Sequence, residues 1–261
     1  MMDVKTKAGI NLHAVLRNIQ ELCDIDETAG NAVKGKKITV KFSVKGCEPM
    51  ALAFDDGKCV YLRGDALKEG AKGALKLYFS SPEKFNTLVD GGKVTPIPSG
   101  AITKIGFVLK EFNILTERLA HYLQPTEAEK AELLTDKTYF KDNTTLLAYT
   151  AFHALAEIGN TDPIGREIAR RMPDGNISIE VKNGPSIGIS VKGGRMAAQI
   201  GGFEKPSALM VFDNLNVVND VLNGKTDVYS AMGMGLFAIS GLIPLLDNMS
   251  HLLGFVPKYL G

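Results

Sequence analysis

Four histidines, three cysteines and two glycine-rich turns are the residues of this chain whose chemistry depends most on spacing. His13, His121, His153 and His251 are isolated, with no HxxxH or HExxH pairing and no cysteine pair to complete a metal site. Each reads as a surface histidine or one satisfied by its neighbours. Cys23, Cys47 and Cys59 are odd in number and lack a CxxC spacing. They make no disulfide framework, and a reducing, cytoplasmic compartment is the expectation. No Gly-x-Ser-x-Gly elbow presents a serine nucleophile. Gly233-Met234-Gly235 precedes an apolar strand instead of following one, so it is not a dinucleotide-binding turn. Gly224-Lys225-Thr226 ends like a phosphate loop, but Asn219 stands where the first glycine belongs and a helix precedes it. Asp24 and Asp26 read equally well as turn residues or as acids. These residues point away from catalysis, from a metal and from a cofactor.

The elements that carry them belong to an ordinary globular chain. Its 261 residues are 45% apolar and 23% charged, enough for two cores. A net charge of +1 without a basic stripe gives no reason to expect nucleic acid. The N-terminus has no apolar segment of a signal peptide. Residues 228–246 are uncharged and long enough to approach a bilayer core, but three glycines, Pro244 and two serines interrupt them, so no membrane span is expected.

The same series of elements occurs twice. At a spacing of 136, Leu16, Ile19, Glu21 and Asp26 match Phe152, Leu155, Glu157 and Asp162. At 134, an ungapped run matches Leu75 with Leu209, Leu77 with Val211, Tyr78 with Phe212 and Ile105 with Ile239. The run continues through Val108 with Leu242, Phe112 with Leu246, Leu115 with Met249 and Leu119 with Leu253. Each copy opens with a helix carrying an apolar face, then alternating strands such as Ile38, Val40, Phe42 and Val44, or Ile177, Ile179 and Val181. Asp55-Asp56-Gly57 and Lys192-Gly193-Gly194 read as hairpin turns. A fourth strand, a helix ending at Gly91 or Gly224, a short strand ending near Ile105 or Ile239, and a long amphipathic helix complete each copy.

This order specifies an α+β fold: two tandem units, each a mostly antiparallel sheet of about five strands with helices on one face. The expected divisions are a first unit at 1–124, a charged linker at 125–143, helical around Glu127 to Leu134, and a second unit at 144–261.

Gly224-Lys225-Thr226-Asp227, followed by Ala231, Gly235, Ile239 and Gly241, resembles the sterol carrier protein type-two family. That family shows a helix ending in Gly-Lys, an acidic residue two on, a short helix with alanine, a glycine, an apolar strand and another glycine. The resemblance covers nearly all of the second unit. In the first, Gly91-Gly92-Lys93 is followed by Pro96 and Pro98, which oppose the short helix. The resemblance implies a tunnel between sheet and helices that holds fatty acids, fatty acyl-coenzyme A, phospholipids or sterols without bond-making. It places Met232, Met234, Leu236, Phe237, Ile239, Leu242, Leu245, Leu246, Met249 and Leu253 along that tunnel in the second unit, and Val108, Phe112 and Leu115 in the first. The expected partner is an apolar small molecule, with a homodimer or a partner enzyme as protein associates. The competing expectation is an interaction module whose interior is filled by its own side chains.

Overall fold

The computed structural model describes residues 2–226 and 228–260. The chain divides into two compact units, Met1–Ala128 and Glu129–Gly261. In the first, α1 (Val4–Ile10), a π-helical turn (Asn11–Val15), a 3-10 turn (Leu16–Asn18) and α2 (Ile19–Ile25) follow without a break. Then come α3 (Glu27–Ala32), the strands β1 (Lys37–Val44), β2 (Met50–Asp55) and β3 (Lys58–Leu62), and α4 (Gly64–Gly70). The unit closes with β4 (Leu75–Phe79), α5 (Pro82–Val89), β5 (Ile97–Gly100), α6 (Ile105–Leu109) and α7 (Glu111–Leu123).

Helix α8 (Glu127–Leu133) precedes the second unit's α9 (Lys137–Thr161), α10 (Pro163–Arg171), β6 (Gly175–Val181), β7 (Ser186–Lys192), β8 (Arg195–Ile200) and β9 (Ala208–Phe212). The remaining elements are α11 (Leu215–Leu222), α12 (Val228–Gly233), β10 (Phe237–Gly241), α13 (Ile243–Leu253) and α14 (Val256–Leu260). Among the described residues no helix is long and apolar enough to cross a membrane.

Both sheets have the same plan. The first runs β3-β2-β1-β4-β5 and the second β8-β7-β6-β9-β10, antiparallel except for the central pairs β1/β4 and β6/β9, which are parallel. Alternation puts the apolar side chains on one face. Val40 lies between Leu52 and Leu75, and Phe42 between Met50 and Leu77. In the second sheet Ile179 lies between Ile187 and Met210. All of these are buried. The two hairpin turns named from composition are two-residue loops with positive φ at both positions, Asp56 (44°) and Gly57 (87°), then Gly193 (55°) and Gly194 (72°). Such turns match the twist of the strands they join.

Three features differ from the sequence expectation. The ungapped spacing of 134 does not hold. The parallel pairings place Leu75, Leu77 and Phe79 level with Ala208, Met210 and Phe212, a spacing of 133. Across β5 and β10 the equivalents are Gly100 and Gly241, which pair with Leu75 and Ala208. In the last helices, Tyr122 and Tyr259 both bond the aspartate that caps α3 or α10, Asp26 or Asp162. That sets the spacing there at 137, so Phe112 corresponds to Met249 and Leu115 to Leu252. Ile105 does not end a strand: β5 stops at Gly100, and Ile105 opens α6. Residues 137–143 are the first two turns of α9, because the Asp136 carboxylate accepts the Tyr139 amide at 2.7 Å and caps the helix there.

Candidate functional site

Within the first unit, sheet and helices border a partly open cavity of about 420 Å³. Its floor is Phe42 of β1 with Leu77 and Phe79 of β4. One side is Val15 and Leu16, at the change from π to 3-10 geometry in the first helix. Phe85, Leu88 and Val89 of α5 form a second side, and Val108 of α6 with Phe112, Thr116, Leu119, Ala120 and Leu123 of α7 a third. Asn113 and Gln124 add two amides, and none of the lining residues is ionisable. Two ring pairs brace the walls, Phe42 with Phe112 at 5.5 Å between centroids and Phe79 with Phe85 at 5.0 Å.

Local sequence explains why space is left here. Ser81 caps α5 and Pro82 fills its first position, where a missing N–H costs nothing. The helix ends at Gly91 (φ 84°), and the Gly92 amide donates back to the Thr87 carbonyl at 2.7 Å. A side chain at Gly92 would meet Thr87 Cγ2 at 2.5 Å, so this corner accepts only glycine. Beyond it, residues 92–96 form no helix, as Pro96 and Pro98 require. Gly91, Gly92, Val94 and Pro96 therefore border the cavity as open chain.

Helix α7 is held against the sheet by charges at two places. Near its start, Glu111 pairs with Lys36 at 2.7 Å. Further along, Arg118 donates to Asp26 Oδ2 at 2.6 Å through Nη2 and 3.1 Å through Nε, and the Tyr122 hydroxyl donates to the same oxygen at 3.1 Å. The other carboxylate oxygen accepts the Ala29 amide at 2.7 Å. Burial pushes the Asp26 carboxyl upward, but Arg118, the Ala29 amide and Tyr122 outweigh it and hold it below its ordinary value. Asp162 behaves alike in the second unit: burial opposes, while Tyr259 and the amides of Gly165 and Ile164 prevail. Asp26 is thus both a turn residue and an acid with a structural task, and Asp24 pairs with Lys58 at 2.6 Å.

The residues named from sequence divide among several places. Val108 and Phe112 line the cavity, whereas Leu115, fully buried one turn on, packs in the core beside it. In the second unit Leu245, Leu246 and Met249 are buried on α13, and Phe237 stacks against Phe212 at 5.1 Å. Leu236, Ile239 and Leu253 are half-buried. Met232, Met234 and Leu242 are exposed. Asp227, part of the motif that carried the family resemblance, lies outside the described residues. Most of the cavity wall was missed, including Phe79, Phe85, Leu88 and Thr116. The signal was available in the prolines after Gly92, which remove a helix from this unit.

The histidines and a buried cysteine have structural surroundings. His13 is buried, with Nδ1 2.7 Å from the Tyr61 hydroxyl and Nε2 3.1 Å from the Glu48 carbonyl. His153 Nδ1 donates to the Tyr149 carbonyl at 2.8 Å, and His251 is exposed. Burial, then the adjacent Cys23 thiol, pushes the Cys59 thiol well above its ordinary value, which disfavours the nucleophilic thiolate. Among the described residues no cluster of His, Cys, Asp and Glu could hold a metal ion.

No family model and no curated protein matches the sequence. Solved structures do. Sterol carrier protein domain 2 of Helicoverpa armigera is 20% identical, matched over 43% of this chain and 89% of its own, with a TM-score of 0.36. The palmitated sterol carrier protein 2-like 2 of Aedes aegypti is 19% identical over 38% of this chain and 85% of its own, with a TM-score of 0.30. Sterol carrier protein 2 of Yarrowia lipolytica, in its apo form, is 13% identical over 38% of this chain and 91% of its own, with a TM-score of 0.29. These three solved structures are sterol carrier protein 2 domains, each matching roughly 40% of this chain.

Proposed function

We propose that the first unit binds an apolar ligand, a fatty acyl chain or a sterol-like lipid, in the cavity between its sheet and α7, and carries it without changing it. The carrying observation is the lining: about 420 Å³ walled by apolar side chains, glycines and a few neutral polar groups, with no ionisable residue. That volume lies within the range of small-molecule sites. Each methylene buried there contributes about 0.8 kcal/mol, so an acyl chain binds without any polar anchor. The absence of a titratable group on the wall argues for carriage over catalysis, which needs an acid, base or nucleophile in contact with the ligand.

A different occupancy is proposed for the second unit. Leu245, Leu246 and Met249 are buried, and a Cβ at Gly175 would meet Leu245 Cδ1 at 2.9 Å. Such close packing between helix and strand favours an interior filled by side chains, the structural reading of the same fold.

Native mass spectrometry of protein purified without added lipid, then organic extraction, tests the carrier reading. A co-purified fatty acid, acyl ester or isoprenoid is expected. Thr116→Trp, which projects a large ring into the cavity, should abolish its uptake while the melting temperature is kept. Protein that stays apo after incubation with fatty acids, acyl-coenzyme A and sterols would sink the reading.

A further inference from the structure

The segment that borders the cavity also carries the most exposed apolar side chain of its unit. Leu109 is 75% exposed and Ile102 51%, and Ile97 on the edge strand β5 is 59% exposed. Ile102, Gly106 and Leu109 are spaced i, i+4, i+7 through a 3-10 turn (Ile102–Lys104) into α6, which places them on one helical stripe. All three are exposed, while Phe107, on the opposite side, is buried against Phe54 at 5.1 Å. A single exposed apolar side chain needs no explanation, but two large ones, Ile102 and Leu109, on one face of a short segment do.

Charge says what covers it. Residues 91–110 contain Lys93, Lys104 and Lys110 and no carboxylate. A shallow cleft flanks the stripe, lined by Lys36, Lys37, Lys104 and Lys110, with Glu111 as its one acid. Glu111 is taken by Lys36 at 2.7 Å, Lys37 pairs with Asp55 at 3.2 Å, and Lys104 reaches the Lys37 carbonyl at 3.2 Å. The surplus is positive. Exposed isoleucine and leucine beside lysine, with no carboxylate in residues 91–110, fit the apolar and basic sides of a lipid-surface anchor. Protein interfaces favour aromatic residues and arginine and are depleted in lysine.

We propose that residues 97–110, with Lys104 and Lys110 as the charge surplus, form a docking surface for an anionic lipid bilayer. Ile102 and Leu109 enter the headgroup boundary, and the lysines meet the lipid phosphates and carboxylates. The same chain supplies Val94, Pro96 and Val108 to the cavity wall, so docking brings that wall to the bilayer. The surface itself does not depend on what the cavity holds.

Sedimentation with vesicles tests it, using phosphatidylcholine alone and phosphatidylcholine mixed with phosphatidylserine. The full chain should bind the mixed vesicles, bind neutral ones far less, and lose binding steeply as salt rises. Lys104→Gln with Lys110→Gln should weaken binding about fivefold per lysine. Ile102→Ser with Leu109→Ser should weaken it about tenfold or more. All four positions are exposed, so melting temperatures should be unchanged, and ligand uptake from detergent solution should remain in the serine variant. Equal binding to both vesicle types, no binding by the wild type, or undiminished binding by both variants would overturn the proposal. Loss of uptake in the wild type with vesicle binding intact would remove the carrier reading and leave this surface standing.

Discussion

Protonating His13 would reverse a hydrogen bond and set a cation beside another. The ring donates from Nε2 to the Glu48 carbonyl, which can only accept, so Nδ1 accepts from the Tyr61 hydroxyl. Burial, then the field of Arg63, lowers its pKa from 6.5 to about 3. The folded value lies below the unfolded one, so on acidification the unfolded chain takes up the proton first. Stability is therefore full above pH 6.5 and falls between 6.5 and about 3. The loss is on the order of a few kcal/mol. Asp26, also held below its ordinary value, adds to the loss at the acid end of that window. The melting temperature of the wild type should decline across this range, and that of His13→Gln, which keeps two hydrogen-bonding groups and cannot titrate, should decline less. Parallel profiles would show that His13 is not the group responsible.

At the scale of elements, α7 is a cavity wall fastened by separate charges, at Glu111 and at Arg118. Arg118→Ala leaves the Asp26 carboxylate with the Ala29 amide and Tyr122 but without its cation. Breaking such a half-buried pair costs about 1–3 kcal/mol. Amide exchange in α7 should speed up more than in the strands, and bound lipid should leave faster; equal acceleration everywhere would mean global destabilisation only. The existence of this helix, its apolar face and the sheet it covers were all legible in the sequence, because alternation and helical periodicity are strong signals. Register between the two copies was not. A spacing of 134 instead of 137 slips the last helix by three residues, nearly one turn, and the apolar stripe matches almost as well. In β4 the slip is one residue, which exchanges the faces and matched Tyr78 with Phe212 although Phe79 is its true equivalent. Polar positions would have fixed both. Asn86 and Asn219 are each buried and bonded to the first helix of their unit, and Tyr122 and Tyr259 each reach an aspartate cap. Only a polar group with a partner has a unique place.

For the molecule as a whole, one plan occurs twice, and the two copies differ at a few residues. Pro96 and Pro98 keep the first unit from forming the short helix that the second has as α12. The cavity borders on that open chain. Sequence resemblance pointed to the second unit because the glycine–lysine series is preserved there, yet that series describes backbone turns and not the space behind them. The two readings separate in a matched pair of variants. Thr116 and Leu253 occupy equivalent half-buried positions on the last helices, and the chain contains no tryptophan, so either substitution introduces a single fluorophore. Thr116→Trp should emit from an apolar environment and abolish lipid uptake. Leu253→Trp should leave one equivalent of lipid per chain, with emission that does not change as lipid binds. Loss of uptake in Leu253→Trp and its retention in Thr116→Trp would assign the ligand to the second unit, and two equivalents in the wild type with one in each variant would assign a site to both.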